Sequence, residues 1–285
     1  MTIRFGPLVR RLNVRIWSVP NERGRVICLH GMGANGGEFA ALAERLNRAG
    51  FEAICPDWLG HGDSQFLWQA GGYRWETYVS SLAAICRQYA TGAEHMLGVS
   101  WGGMMLLLYL MYARMRPRSV VFVDTPLADH EALTRHHQSL LEQAEARFDS
   151  VEAAEAYLFE RRPALACVPP HLTEYYRNAR FYRQAGRIAM KYDGKAIAAM
   201  GSYLGKKFDY LGALPRLQCN ALFIYGESSP YCNPVLFDSV CAENPNIAYS
   251  DALAGGHPPA LLEDAQLAPI EAFLSAGSAT LAAPS

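Results

Sequence analysis

Residues 98–103, Gly-Val-Ser-Trp-Gly-Gly, constrain the fold of this chain more than any other stretch. The pattern before them, at 93–97, predicts a strand, and the apolar run 104–112 after them is typical of a buried helix. Gly98 and Gly102 flank Ser100, and a chain that folds back tightly needs glycines because a Cβ atom would collide there. A strand, a glycine-flanked turn and a helix predict that Ser100 presents its hydroxyl at one edge of a sheet.

Strands and helices alternate through most of the chain. Seven strands are predicted, at 13–18, 25–29, 52–55, 93–97, 119–123, 220–225 and 246–250. Helices are predicted between or after them, at 38–49, 75–89, 104–112, 235–242 and 261–274. This alternation favours an α/β fold in which helices flank a mostly parallel central sheet.

The alternation stops after residue 126 and resumes near residue 215. Between them the patterns favour helices alone, at 131–148, 151–161, 172–183 and 195–203. We therefore expect residues 1–126 and 215–275 to form the core and 127–214 to form an inserted helical cap. The small and polar residues 276–285 are expected to be a flexible tail.

Composition excludes several classes of function. The 285 residues are 51% hydrophobic and carry a net charge of −1, which gives no electrostatic basis for binding nucleic acid or a membrane surface. No apolar run is long enough to cross a bilayer, and residues 1–15 lack the apolar region of a secretory signal. Seven scattered cysteines without a C-x-x-C pair fit a reducing compartment, so we expect a cytoplasmic protein with a small-molecule substrate.

A serine nucleophile needs a base within hydrogen-bond reach and a carboxylate that orients the base. His257 is the predicted base, because its Gly-Gly-His-Pro-Pro loop follows the last predicted strand. Asp124 ends the strand after the Ser100 helix, so it emerges at the same sheet edge and is the predicted acid. Glu227, in the loop after the next strand, is the alternative acid.

Acyl transfer also needs two donors for the oxyanion. The backbone N–H groups of Met32 and Trp101 are the predicted donors, and glycines such as Gly31 let the backbone approach a substrate. The side chains of Met32 and Trp101 are expected to line the pocket. No metal ligand set is predicted, because His136 and His137 lack a partner at helical spacing.

Four motifs together resemble the α/β-hydrolase superfamily over nearly the whole chain. They lie at 30–33 (HGMG), 57–64 (DWLGHGDS), 98–103 (GVSWGG) and 256–257 (GH). The resemblance implies the catalytic order Ser, Asp, His and a helical cap at 127–214. Its usual acid position, after the next strand, is Ser229 here, and members that carry the acid one strand earlier support Asp124.

The predicted function is a serine hydrolase: a carboxylesterase, thioesterase or lactonase that acts on a small to medium apolar acyl substrate through an acyl-enzyme. No cofactor is predicted. One alternative is a cofactor-free dioxygenase of the same fold, which would use the His–Asp pair without the serine. The other is a ligand-binding protein without turnover.

The predicted cap has an uneven charge distribution. Residues 129–160 hold eight acidic side chains and two arginines, whereas residues 170–210 hold eight basic and three acidic side chains. Pairing between the two halves and with water accounts for this pattern. A basic rim that favours an anionic substrate is the alternative interpretation.

Overall fold

A seven-stranded sheet forms the centre of the molecule. The structure, a computed structural model, describes residues 1–5, 8–89, 94–112, 116–127, 131–204, 208–231 and 233–279. The seven strands of the sheet are β3 (Val14–Trp17), β4 (Gly24–Leu29), β5 (Phe51–Pro56), β6 (His95–Val99), β7 (Ser119–Val123), β10 (Asn220–Gly226) and β11 (Ile247–Leu253). They lie in the order β11-β10-β7-β6-β4-β5-β3, and all neighbours are parallel except β3, which pairs antiparallel with β5. The predicted mostly parallel α/β sheet is confirmed.

The central strands are apolar because both faces of the sheet are covered. In β4, Val26 and Cys28 pack into the core on one face, while Ile27 and Leu29 pack into the core on the other. A parallel strand that is buried on both faces has an unbroken apolar sequence rather than an alternating one. For this reason the central strands could be predicted from short apolar runs.

Helices cover the two faces of the sheet. They are α1 (Ala40–Arg48), α2 (Trp75–Tyr89), α3 (Trp101–Tyr112), α9 (Pro234–Glu243) and α10 (Asp264–Ala279). The first nine residues of α3 are all buried, which explains why its sequence is apolar on every side. The helix begins at Trp101, directly after Ser100, rather than at residue 104 as predicted.

The segment between β7 and β10 is mainly helical. It contains α4 (Glu131–Glu145), α5 (Val151–Arg161), α6 (Thr173–Arg180), α7 (Gly194–Leu204) and α8 (Tyr210–Ala213). The sequence prediction of helices alone is wrong for part of it, because β8 (Phe181–Gln184) and β9 (Arg187–Met190) form an antiparallel hairpin there. Ala185 and Gly186 both have positive φ, as a two-residue hairpin turn requires.

Both ends of the chain depart from the predicted pattern. An antiparallel hairpin of β1 (Thr2–Phe5) and β2 (Leu8–Arg11) precedes the sheet and was not predicted. The expected tail begins inside α10, since residues 276–279 continue this helix, and residues 280–285 lie outside the described residues. Within the described ranges, no helix is both long and apolar enough to cross a bilayer.

Candidate active site

Ser100 stands on the sharp turn that joins β6 to α3. Its φ is +50°, a strained left-handed conformation for a residue with a side chain. The turn is held in place because the Ser100 N–H donates to the Val123 carbonyl at 2.8 Å and the Gly103 N–H donates to the Ser100 carbonyl at 2.9 Å. At Gly102 a Cβ atom would overlap the carbonyl groups of Leu29 and His30, so the turn can approach β4 only with glycine there.

His257 reaches Ser100 from the loop after β11. The Ser100 Oγ lies 3.0 Å from the His257 Nε2, although the two residues are 157 positions apart in the chain. Ser100 is 3% exposed, and the His257 side chain is 7% exposed. The structure therefore brings the predicted nucleophile and the predicted base into direct contact at the carboxyl edge of the sheet.

Asp124 is the carboxylate beside His257. Its Oδ1 lies 3.4 Å from the His257 Nδ1, and its side chain is completely buried. Asp124 has a φ of +50°, and its N–H donates to the Ile224 carbonyl at 2.8 Å, which holds it at the end of β7. The His257 Nδ1 and the Asp124 Oδ2 have no hydrogen-bond partner, so the two groups face each other without a well-aligned hydrogen bond. Such contacts are often long before a substrate binds.

Ser229 supports Asp124 from the neighbouring loop. Its hydroxyl donates to the Asp124 Oδ1 and accepts from the Tyr231 N–H at 3.1 Å. Glu227, the alternative acid, is exposed. Among the described carboxylates, Asp124 is the one in ion-pair contact with His257. The geometry thus favours Asp124 over Glu227.

Two backbone N–H groups are available near Ser100 for a developing oxyanion. The Met32 N–H donates to no backbone acceptor within the described part of the chain. Trp101 opens α3, and the first N–H groups of a helix have no acceptor within the helix. Trp101 directly follows Ser100 in the chain, and Met32 lines the same cavity as Ser100.

Of these two side chains, Met32 lies at the cavity as expected and Trp101 does not. Met32 lines the cavity beside Ser100, and Gly31 lines it as well. The Trp101 ring instead packs edge-on against Trp58 and Tyr78 and is 1% exposed. A ring this large is stabilised by burial in the aromatic core, so Trp101 can serve the site through its N–H group rather than its side chain.

Two buried histidines hold the loop that carries Met32. The His30 Nε2 accepts from the Trp58 N–H at 3.0 Å, which leaves the His30 Nδ1 to donate to the Gly31 carbonyl at 2.8 Å. The His61 Nε2 accepts from the Gly33 N–H at 3.3 Å. Burial lowers the pKa of His30 well below its ordinary value and lowers that of His61 to about 4. Both rings are therefore neutral and structural.

Asp57 anchors the neighbouring loop. It is fully buried and accepts from the Gly36 N–H at 2.7 Å, the Asp63 N–H at 2.8 Å and the Asn13 side chain at 2.9 Å. Arg15 adds an ion pair at 2.5 Å. Because these donors come from three separate segments of the chain, Asp57 fixes the loops at the sheet edge.

Two aromatic rings pack edge-on against the His257 ring. The Tyr231 ring lies edge-on at 4.4 Å between centroids, and the His136 ring of α4 lies edge-on at 5.4 Å. Burial is the main cause that lowers the pKa of His136 to about 3, and the nearby charges of His257 and Arg162 act in the same direction. His136 therefore packs against His257 as a neutral ring.

A cavity adjoins Ser100 between the sheet edge and the inserted segment. Its space between protein atoms amounts to about 540 Å³, a volume that includes the part open to solvent. Its walls are mostly apolar, and its charged side chains are Glu38 and Arg162. The combination of apolar walls and few polar groups is typical of a site for a small molecule.

A larger groove of about 990 Å³ lies elsewhere, between the end of α3 and α8. Its lining includes Cys219, and burial raises the pKa of this thiol to about 11, so it is an unreactive thiol at neutral pH. We therefore place the chemistry at the cavity beside Ser100.

The comparisons with known proteins agree with this architecture. The family profile described as alpha/beta hydrolase fold matches residues 24–264. The chain belongs to the alpha/beta hydrolase fold family. The match includes β4, the Ser100 turn, Asp124 and the His257 loop, so the superfamily predicted from the motifs is confirmed, as is the prediction of a hydrolase.

Individual relatives within this family differ in activity. The chain is 25% identical over 272 residues to a proline iminopeptidase of Lactobacillus delbrueckii subsp. lactis, with 88% of this chain and 90% of that protein covered. It is 34% identical over 120 residues to an esterase of Mycobacterium tuberculosis, which covers 42% of this chain and 38% of that protein. A solved structure of a candidate hydrolase from Rickettsia typhi has a TM-score of 0.81 at 18% identity, over 97% of this chain and 98% of that one.

Three side chains at the site have roles that the sequence does not predict. Ser229 stands at the usual acid position without a predicted role, and nothing in the sequence marks Arg162. His136 has a sequence context that bears only on metal binding. No local pattern marks them, since each reaches the site through tertiary packing.

Proposed function

We propose that the chain is a serine hydrolase that cleaves ester-type bonds of small to medium, largely apolar acyl substrates through an acyl-enzyme. The observation that carries the proposal is the 3.0 Å contact between the Ser100 Oγ and the His257 Nε2 on a strained turn. A serine hydroxyl is a weak nucleophile by itself, and a base at this distance activates it. Carboxylesters, thioesters and lactones all fit this chemistry.

The proposed reaction has two halves. His257 takes the Ser100 proton while the Ser100 Oγ attacks the carbonyl carbon, and the Met32 and Trp101 N–H groups stabilise the oxyanion. His257 then gives the proton to the leaving group, whose bond to the carbonyl carbon breaks. Water, deprotonated by His257, attacks the acyl-serine, and the released Ser100 Oγ recovers a proton.

In this scheme Asp124 orients the His257 ring and stabilises the imidazolium. Its position beside the His257 Nδ1 and its complete burial support this role. A buried carboxylate next to the imidazolium stabilises that charge more strongly than an exposed one would, because the local dielectric constant is low.

The charge of the cavity favours an ester over an amino-terminal amide substrate. An aminopeptidase must hold the free ammonium group of its substrate, which requires an unpaired carboxylate. Glu38 is the carboxylate of the cavity, and Arg180 already forms an ion pair with it at 3.5 Å. Amide cleavage, the activity in the name of the Lactobacillus relative, is therefore the second candidate.

Replacement of Ser100 tests the proposal directly. We expect S100A to lower kcat/KM on short 4-nitrophenyl esters by at least about 10³-fold, because the acyl-enzyme can no longer form. A fluorophosphonate probe should label the native protein at Ser100 and leave S100A unlabelled. Esterase activity that survives in S100A would contradict the proposal.

Two further measurements separate the alternatives. Hydrolysis of proline 4-nitroanilide faster than of 4-nitrophenyl esters would assign the enzyme to amide bonds. Oxygen consumption that survives S100A but not His257→Ala would assign it to cofactor-free dioxygenation. A native protein that neither turns over esters nor reacts with the probe would indicate a binding protein.

Two matched substitutions of a carboxylate by an amide test which residue is the acid. We expect D124N to lower kcat by about 10³- to 10⁴-fold, since an asparagine cannot stabilise the imidazolium. E227Q makes the same chemical change on the exposed carboxylate one loop away, and its kcat should stay within about twofold of the native value. The reverse ranking would transfer the role to Glu227.

A further inference from the structure

The backbone of Arg162 is held between two short helical elements. It follows α5 and precedes the 3₁₀ turn Pro163–Ala166. Its N–H donates to the Leu158 carbonyl at 2.9 Å, and its carbonyl accepts from the Leu165 N–H at 3.0 Å. The residue lines the cavity that contains Ser100, and it also lines an adjoining cavity bounded by Arg180.

Neither arginine of these two cavities is fully paired. Among the described residues, no hydrogen bond or ion pair involves the Arg162 guanidinium. The Arg180 side chain is 5% exposed, and its Nε and Nη2 have no hydrogen-bond partner. Its Nη1 makes a long contact of 3.4 Å with the Leu165 carbonyl. A buried guanidinium group normally satisfies its donors, so the unpaired donors of Arg180 point to an absent anionic partner.

The charges around the two cavities do not balance. Glu38 lines both cavities and lies 3.5 Å from the Arg180 Nε, so one carboxylate faces two guanidinium groups. Lys191 is paired with Asp63 at 2.6 Å, and the neighbouring His136 is neutral at pH 7. One positive charge is left over beside the nucleophile.

The electrostatic environment of Arg162 is consistent with this excess of one positive charge. Burial lowers the pKa of Arg162 below its ordinary value, Glu38 opposes this shift and the Arg180 charge adds to it. Arginine nevertheless stays protonated in proteins, so the charge persists. Arg162 is half-buried, and a positive charge at the wall of a largely apolar cavity attracts a ligand anion more strongly than one in bulk water would.

We propose that Arg162, with Arg180 behind it, binds a carboxylate of the substrate, so that the enzyme acts on esters whose acyl part ends in a carboxylate. A guanidinium group matches a carboxylate with two parallel N–H···O hydrogen bonds, which gives orientation as well as affinity. The methylene groups of such a substrate would pack against the apolar walls of the cavity. This inference rests on the proposed function, because it concerns the same site.

The test compares two esters that differ mainly in charge. Mono-4-nitrophenyl adipate ends in a carboxylate, and 4-nitrophenyl methyl adipate ends in a neutral ester of nearly the same length. We expect the native enzyme to prefer the anionic ester. R162M should lower this preference, the ratio of the two kcat/KM values, by about 10- to 100-fold, as expected for loss of a charge-assisted hydrogen bond. R162K should retain part of it.

A neighbouring arginine provides the control. Arg161 is exposed, and its guanidinium lies over the Tyr157 ring and pairs with Glu160. R161M removes one positive charge from the same segment, and the preference ratio should stay at the native value. An unchanged ratio in R162M, or equal losses on both esters, would overturn the proposal.

A binding measurement separates this proposal from the proposed function. Adipate itself should bind the native protein in a calorimetric titration, and R162M should weaken its Kd by about tenfold or more. If the native protein hydrolyses neither ester, the proposed function fails, and the titration still decides the carboxylate site. Equal adipate affinity in native protein, R161M and R162M would overturn it.

Discussion

Ser229 donates a hydrogen bond to the carboxylate that lies beside His257. The residue stands at the position where the usual aspartate of this fold is missing. The hydroxyl holds one oxygen of Asp124 and is itself held by the Tyr231 N–H, so it restricts how the carboxylate can rotate. We therefore regard Ser229 as a positioning residue for the proposed acid.

Removal of this hydroxyl should affect turnover more than binding. We expect S229A to lower kcat by about tenfold with KM within about twofold, because a charge-assisted hydrogen bond to the acid is lost while the cavity is unchanged. S229T keeps the hydroxyl and should restore most of kcat. A change in KM alone, or no rescue by threonine, would indicate a purely structural role.

The strands and helices at the site could be predicted where a pattern of neighbouring residues defines them. The strand before Ser100, the glycines around it and the apolar helix after it all appear as adjacent patterns in the sequence. The hairpins β1–β2 and β8–β9 were not predicted, and their four-residue strands give only a weak local pattern. Tertiary contacts support them instead, such as the bridge between Phe148 and Ile188.

The turn at the site can be tested through its glycine. G102A should lower the free energy of unfolding by about 2 kcal/mol or more, because the new methyl group overlaps the Leu29 and His30 carbonyl groups, which cannot move without β4. Urea unfolding followed by circular dichroism measures this change.

Gly71 provides a control for this experiment. Gly71 lies in a surface turn, and a methyl group added there meets no atom within 4 Å. G71A should therefore change the free energy of unfolding by no more than about 0.5 kcal/mol. Equal effects of the two substitutions would show that the backbone contact at Gly102 does not restrict the turn.

At the scale of the whole molecule, buried histidines link stability to pH. His30, His61 and His95 are almost completely buried. Burial is the main cause that lowers the pKa of His61 and of His95 to about 4, and it lowers that of His30 well below its ordinary value. The folded protein therefore excludes protons that the unfolded chain binds.

Stability should fall as the solution becomes acidic. An unfolded histidine has a pKa of about 6.5, so the contribution of these rings is complete above that pH and is lost as the pH falls toward about 4. Each ring should contribute a slope of up to about 1.4 kcal/mol per pH unit in this window. Urea unfolding at pH 7, 6, 5 and 4 measures the slope.

The number of protons taken up on unfolding provides an independent check. Calorimetric unfolding at pH 5 in two buffers of different ionisation enthalpy should give an uptake of more than one proton. A free energy of unfolding that is constant between pH 7 and pH 5 would contradict the assignment of neutral buried rings.

The sequence alone was enough to predict the α/β sheet, the turn at Ser100 and the pairing of Ser100 with His257. These features depend on local patterns, in which apolar runs form buried strands and glycines permit a tight turn. The tertiary structure placed Asp124 rather than Glu227 beside His257, buried the Trp101 ring in the core and brought Ser229 and Arg162 to the site. Side-chain burial and contacts between distant segments depend on packing of the whole chain, and no local pattern records them.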